Sequence, residues 1–428
     1  MATTQVHLGK TETTGNAPSS ALTTWAGLAV GSPHFATTEV RGTVVWPVAG
    51  VFANLLITGV VAPGAGKSWT FTVRKNGVDT ALTVTISDTA TSARDSTHTV
   101  SVAAGDSVTL QAVPSGSPTA ISLVTVAVEF TSTGTGESGY AGQPTSTAIV
   151  ATAARYQGVF RMNLLFAATT ATSGAARSLA AAAGTITALY AFLDGTPGAG
   201  KNYTFSIYKN GVRQDGTAGT PDTRVVVADS ATTGATTAFS LGVAAGDVLT
   251  LESLPTGTPT ARRVGASVRF VATTDGQSQF CGCSDAAPSA SATQYTRMPY
   301  AGSNAWTATE SDETLSRVVS GISTFTLAGL RVRVDTAPGT GKSLTYSVRK
   351  NAASPAGIPS VPIADTATSG TDATGTVSLA DGDTLNLRAV PAGTPTLPGA
   401  MLWGLIQTMG GAAPAAVETV QPFVILPC

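Results

Sequence analysis

A chain of 428 residues is long for one hydrophobic core, and at about 100 to 200 residues per domain it suggests two to four domains. Charged residues make up 11% of it, against about 25% in an average soluble domain, and 24 basic against 25 acidic residues leave a net charge of -1. That balance supplies no field to attract nucleic acid or an anionic membrane, which excludes both as partners, and gives little protection against self-association, which suits a protein working inside an assembly.

The first residues, Met1 to His7, lack the charged and apolar regions of a secretory signal, so synthesis in the cytoplasm without export is the expectation. No apolar run reaches the roughly 18 residues of a membrane span. From residue 23 onward four landmarks recur three times in the same order, and the segment 1–22 reads as lying outside this repeat. The first landmark is a Pro-Gly-x-Gly-Lys loop at Pro63 to Lys67, Pro197 to Lys201 and Pro338 to Lys342. A strand ending in Lys-Asn follows, at Trp69 to Asn76, Tyr203 to Asn210 and Leu344 to Asn351, each alternating bulky apolar with polar residues. A Gly-Asp turn comes third, at Asp106, Asp247 and Asp383, and a Pro-x-Gly-x-Pro-Thr loop fourth, from Pro114, Pro255 and Pro391.

Around these landmarks the predicted elements are strands. Asn76-Gly77 and Asn210-Gly211 predict tight hairpin turns, because Asn and Gly tolerate positive φ; Asn351 is followed by Ala352, which predicts a different turn in the third copy. Thr99 to Val102, the Gly-Asp turn and Ser107 to Val113 read as a second hairpin, with counterparts at Ala238 to Leu254 and Gly375 to Val390. Further strands are expected at Thr43 to Trp46, Ile121 to Phe130, Val159 to Phe166, Thr185 to Leu193 and Val264 to Val271. About eight short strands per copy predict an all-β protein of three tandem antiparallel β-sandwiches, jelly-roll-like in preference to immunoglobulin-like. The boundaries read as 23–135, 136–275 and 276–409, with an extended C-terminal tail at 410–428.

That tail carries Val420 to Pro427, including Phe423 and Ile425, and is too apolar to be left in water without cost. Either it folds back as a strand on the third sandwich or it docks into a neighbouring subunit with Cys428 at its tip. Three cysteines are too few for a disulfide scaffold. Cys281 and Cys283, with Cys428, are candidates for intermolecular contact or crosslinking; inert thiols are the alternative.

Chemistry-bearing groupings are sparse. The Gly-Lys loops fail as phosphate-binding loops: Val61 and Thr336 stand where the first glycine belongs, Asn202 replaces the hydroxyl residue, and each loop runs into a strand, not a helix. His7, His34 and His98 are the only histidines and do not occupy equivalent positions. Asp106, Asp247 and Asp383, like Asp88, Asp229 and Asp365, sit in turns where Asp bonds its own backbone. No cofactor or metal is expected. Sugar sites want exposed aromatic faces, whereas Trp69, Tyr203 and Leu344 occupy one equivalent position that reads as core.

Pro-Gly-x-Gly-Lys, an aromatic strand, Arg-Lys-Asn-Gly, Ala-Gly-Asp and Pro-x-Gly-x-Pro-Thr together resemble repeat modules of virion structural proteins of tailed bacteriophages. The resemblance covers Pro63 to Thr119, Pro197 to Thr260 and Pro338 to Thr396, departing at Tyr208 and Ala352. It implies a non-enzymatic jelly-roll-like protein on the particle exterior, with other virion proteins as partners: the major capsid protein or neighbouring copies of itself. A capsid decoration protein, in which three similar domains in one chain would mimic a trimer at a threefold position, is the first expectation, since charge and aromatics are sparse and the apolar tail suits docking. A tail or head fibre contacting a host surface glycan is the second, and a bacterial surface or polysaccharide-binding module the third.

Overall fold

The computed structural model describes residues 2–11, 16–29, 33–121, 123–160, 177–217, 219–298, 306–310, 318–319 and 323–409. The protein is all-β: among these residues the one α-helix is a single turn, and every strand pairing is antiparallel. The strands make six sheets, grouped in three consecutive pairs.

The first pair contains β1 (Ala2–Lys10), β2 (Thr24–Ala26), α1 (Glu39–Gly42), β3 (Val44–Val45), β4 (Gly50–Thr58), β5 (Gly64–Lys75), β6 (Val78–Asp88), β7 (Ser92–Val102), β8 (Ser107–Ser115) and β9 (Thr125–Thr135). One sheet has the order β1-β9-β4-β7; the other is β2-β8-β5-β6, with β3 also on β8. Trp69, Phe71 and Val73 from the second sheet meet Phe52, Leu55, Val128 and Phe130 from the first in one buried cluster. The alternation of β5 is thus a core face, and Trp69, Tyr203 and Leu344 are all buried.

The second pair contains β10 (Glu137–Gly142), β11 (Arg155–Gly158), β12 (Ser178–Leu179), β13 (Gly184–Leu193), β14 (Gly198–Lys209), β15 (Val212–Arg213), β16 (Val225–Asp229), β17 (Thr233–Thr236), β18 (Leu241–Val243), β19 (Val248–Thr256) and β20 (Val264–Ala272). The third contains β21 (Gln277–Ser284), β22 (Gln294–Arg297), β23 (Val318–Val319), β24 (Phe325–Val334), β25 (Gly339–Lys350), β26 (Ser360–Asp365), β27 (Ser369–Thr371), β28 (Thr376–Leu379), β29 (Thr384–Ala392) and β30 (Met401–Met409). Their orders, β10-β20-β13-β17 with β11-β19-β14-β15 and β21-β30-β24-β27 with β22-β29-β25-β26, repeat the first. The first strand pairs with the last. With consecutive short strands that share one partner (β2 and β3 on β8, β15 and β16 on β14, β17 and β18 on β13, and their equivalents) taken as one interrupted strand, the chain crosses between the sheets at every step except the hairpin after β5 and its equivalents. That winding is a jelly roll and not the immunoglobulin arrangement.

Three expectations need correction. Within the segment 1–22, expected to lie outside the repeat, Ala2–Lys10 belongs to it as the edge strand of the first sandwich: Gln5 pairs with Phe130 as Ser138 pairs with Phe270 and Ser278 with Gln407. The strands flanking Asp106 do not form a hairpin; β7 and β8 belong to opposite sheets, so this turn arches over the sandwich edge. The third-copy turn is also not built differently. Asn351 and Ala352 take φ of 52° and 58°, matching 50° and 76° at Asn76 and Gly77 and 50° and 84° at Asn210 and Gly211.

Holding alanine in the left-handed region costs about 1 kcal/mol. Ala352→Gly is therefore expected to raise the thermal midpoint slightly, by about 1 kcal/mol at most after the extra chain entropy glycine gains when unfolded, and Gly77→Ala to lower it. A midpoint lowered by Ala352→Gly would contradict this account of the turn.

Candidate functional site

The Lys-Asn and Gly-Asp landmarks form one clamp, repeated three times. Asn76 Nδ2 donates to Asp106 Oδ1 at 2.8 Å, while Asn76 Oδ1 accepts from Ser107 N at 2.8 Å and Asp106 Oδ2 from Ala103 N at 2.8 Å. Lys75 Nζ closes the group on Asp106 at 3.2 Å and on the Ser101 carbonyl at 3.0 Å. Asn210, Asp247 and Lys209 repeat it, with 2.7 Å from Asn210 Nδ2 to Asp247, as do Asn351, Asp383 and Lys350, with 2.6 Å from Asn351 Nδ2 to Asp383. Burial alone would raise the Asp106 and Asp383 carboxyls; the hydrogen bonds and the lysine outweigh it and hold them below their ordinary range. These side chains spend their hydrogen bonds tying the hairpin end to the arch.

The opposite loops are equally self-contained. Asp88, Asp229 and Asp365 accept from the backbone N of Gly66, Gly200 and Gly341, each at 2.7 Å. The Pro-x-Gly-x-Pro-Thr loop is laced to the Pro-Gly loop by Thr119 N to Pro63 O, Thr260 N to Pro197 O and Thr396 N to Pro338 O, all 2.8 Å. Gly64 and Gly66, at φ of 101° and 72°, provide the left-handed backbone that lets the chain turn into β5.

What the sequence did not disclose is how the three sandwiches meet. They form a closed ring. β3 of the first packs on β10, β13 and β20 of the second; its equivalent β12 packs on β21, β24 and β30 of the third; and β23 of the third returns to β1 of the first. The edge strands β1, β10 and β21 converge at the centre, which covers backbone edges that would otherwise be open to other chains. One position on these strands reaches into the core of the neighbour: Leu8 joins the third sandwich's cluster, Ala141 the first's and Cys281 the second's.

Each seam also carries a glutamine that grips one residue of the facing sandwich by both its N–H and its C=O. Gln143 holds His34 at 3.2 and 2.9 Å, Gln279 holds Ala182 at 3.1 and 2.7 Å, and Gln407 holds Val6 at 3.3 and 3.1 Å. A side-chain amide thus does the work of a strand partner where two sheets cannot pair.

Tyr140 ties the three sandwiches together. Its ring packs on Phe160 in the second, while its hydroxyl accepts from Gln279 N of the third at 2.6 Å and from Gln5 Nε2 of the first at 3.3 Å. Burial pushes the phenol's pKa well up, so it stays a neutral donor and acceptor. Tyr140→Phe should leave two buried donors unpaired and cost roughly 1 to 3 kcal/mol, read as a lower urea midpoint at unchanged slope. An unchanged midpoint would remove Tyr140 from this role.

Cys281 and Cys283, expected as sites of intermolecular contact, are instead enclosed by the chain's own seam, 4% and 0% exposed. The Cys281 thiol donates to the Leu179 carbonyl at 3.1 Å, and Cys283 packs with Leu179, Val248 and Leu402. They face a neighbouring sandwich of the same molecule because the edge strand that carries them lies at the ring's centre. Phe423, Ile425 and Cys428 lie outside the described residues.

Among the described residues no three metal-binding side chains converge, and no helix is long and apolar enough to cross a membrane. Compared with known proteins, the chain matches no family model and no curated sequence.

Proposed function

We propose that this chain is a non-enzymatic structural protein of a bacteriophage virion, mounted on the particle exterior as a capsid decoration protein. The observation that supports this reading is the ring: three jelly rolls of one topology, closed about an approximate threefold axis within a single chain. Such a body fits a threefold or local threefold position on a shell, where the major capsid protein presents three similar surfaces. The repeated polar groups add to the case, since they are consumed in holding turns and seams together.

Quantitative mass spectrometry of purified particles tests the proposal. A decoration protein of this shape is expected at one chain for every three capsid subunits. Absence from particles sinks the virion assignment. A handful of copies per particle supports the fibre reading, in which the ring projects outward and meets a host surface glycan.

A further inference from the structure

The three seams use one register-equivalent position in three ways. Leu56 pairs with Ala127 in the first sandwich, Tyr190 with Ser267 in the second and Arg331 with Gly404 in the third. Directly paired residues share a sheet face, and here it is the face turned to the preceding sandwich. Leu56 packs on the third sandwich's core, and Tyr190 lies beside Gly105 of the first. Gly404 is covered so closely by the second sandwich that a Cβ there would stand 2.7 Å from the Leu179 carbonyl and 3.3 Å from Ala181. Arg331 therefore places a guanidinium in a closed seam, on the sheet face opposite the core residues Leu330 and Val332 that flank it along the strand.

That cation is 6% exposed. Its one hydrogen bond runs from Nη1 to Thr371 Oγ1 at 3.3 Å, while Nε and Nη2 are enclosed without a partner. Burial alone lowers its pKa, with no acidic group offsetting it. Isolated buried charges cost several kcal/mol, and proteins keep them only where something compensates.

We propose that the seam between the second and third sandwiches binds a small oxyanion of the phosphate or sulfate class at Arg331. The guanidinium offers Nε and Nη2 side by side, the fork that takes two oxygens of a tetrahedral anion. Thr371, exposed on the edge strand β27, marks the way in and adds a hydroxyl. A bound anion removes the penalty of the buried charge and locks these two sandwiches together. The site is independent of where on a particle the chain is mounted.

The test is thermal denaturation of the full-length protein in sodium phosphate or sodium sulfate, titrated against sodium chloride at matched ionic strength. The wild-type midpoint should rise and saturate within the millimolar range. Arg331→Leu, which installs the residue found at the equivalent Leu56, should abolish the saturating rise and melt no lower than wild type in chloride. Arg331→Lys, retaining charge but not the fork, should shift the half-saturation point upward about tenfold. General stabilisation by these salts rises without saturating and equally in every variant. The proposal fails if wild type shows only that unsaturated rise, or if the saturating rise survives in Arg331→Leu.

Discussion

At pH 4 the protein is expected to be about 3 kcal/mol less stable than at pH 7, with His7 the main source of the loss. The residue as a whole keeps part of its surface, but its Nε2 is enclosed without a hydrogen-bond partner and its ring stands edge-on to Trp46 at 5.4 Å. Burial brings its pKa from 6.5 down to about 3. An unfolded chain therefore takes up a proton below 6.5 that the folded chain refuses until about 3. The stability tied to His7 is complete above pH 6.5 and is lost as the pH falls through that window. His34, gripped by Gln143 in the first seam, has its pKa lowered by burial and by Arg41 and Arg263, and adds to the loss in the same direction.

The equivalents of His7 are Tyr140 and Phe280, both aromatic, so His7→Phe should fold and flatten the stability curve between pH 6.5 and 4. Asp95, held well below the carboxylate range against burial by bonds from His98, Thr83 and Thr97, loses its contribution only at lower pH. The two sources separate by pH, and an unchanged curve in His7→Phe would exclude the histidine.

Trp46→Ala is expected to cost about 3 to 5 kcal/mol. Trp46 is fully buried, lies 4.8 Å from both Phe52 and Phe130, and closes on the edge strand of the second sandwich at Gly139, where a Cβ would stand only 2.7 Å from its ring. Removing it empties the first core and undercuts the first seam together, so the loss should appear in the earliest thermal transition. A cost under about 1 kcal/mol would mean the seam closes over the gap, contrary to the close packing around the ring.

The strands and turns were legible in the sequence because their signals are local. Alternation placed Trp69 and Tyr203 in the core, and Asn-Gly marked turns that do need positive φ. Ala352 misleads because the clamp of Asn351, Asp383 and Lys350 holds the third turn in the same shape without glycine. Ala2–Lys10 escapes notice because it and its equivalents share almost no sequence beyond Gly9, Gly142 and Gly282; each is shaped by a different neighbour. The seams are invisible for a related reason. Gln143, Gln279 and Gln407 read as ordinary polar residues until the ring sets a backbone opposite each amide.

The sandwiches follow one another almost without spacer: Gly136 alone separates β9 from β10, and β20 ends at Ala272 with β21 beginning at Gln277. An ordinary trimer falls apart on dilution because three bodies must find one another again. Here two of the three encounters are written into the chain and the last is closed by neighbours already in place, so melting should not change with protein concentration. The same tethering frees each seam to diverge, and Leu56, Tyr190 and Arg331 show that it has. Such a body is threefold only in outline: on a surface of perfect threefold symmetry its three orientations are equal in energy, and one is preferred only where the three surroundings differ, as at a local threefold position.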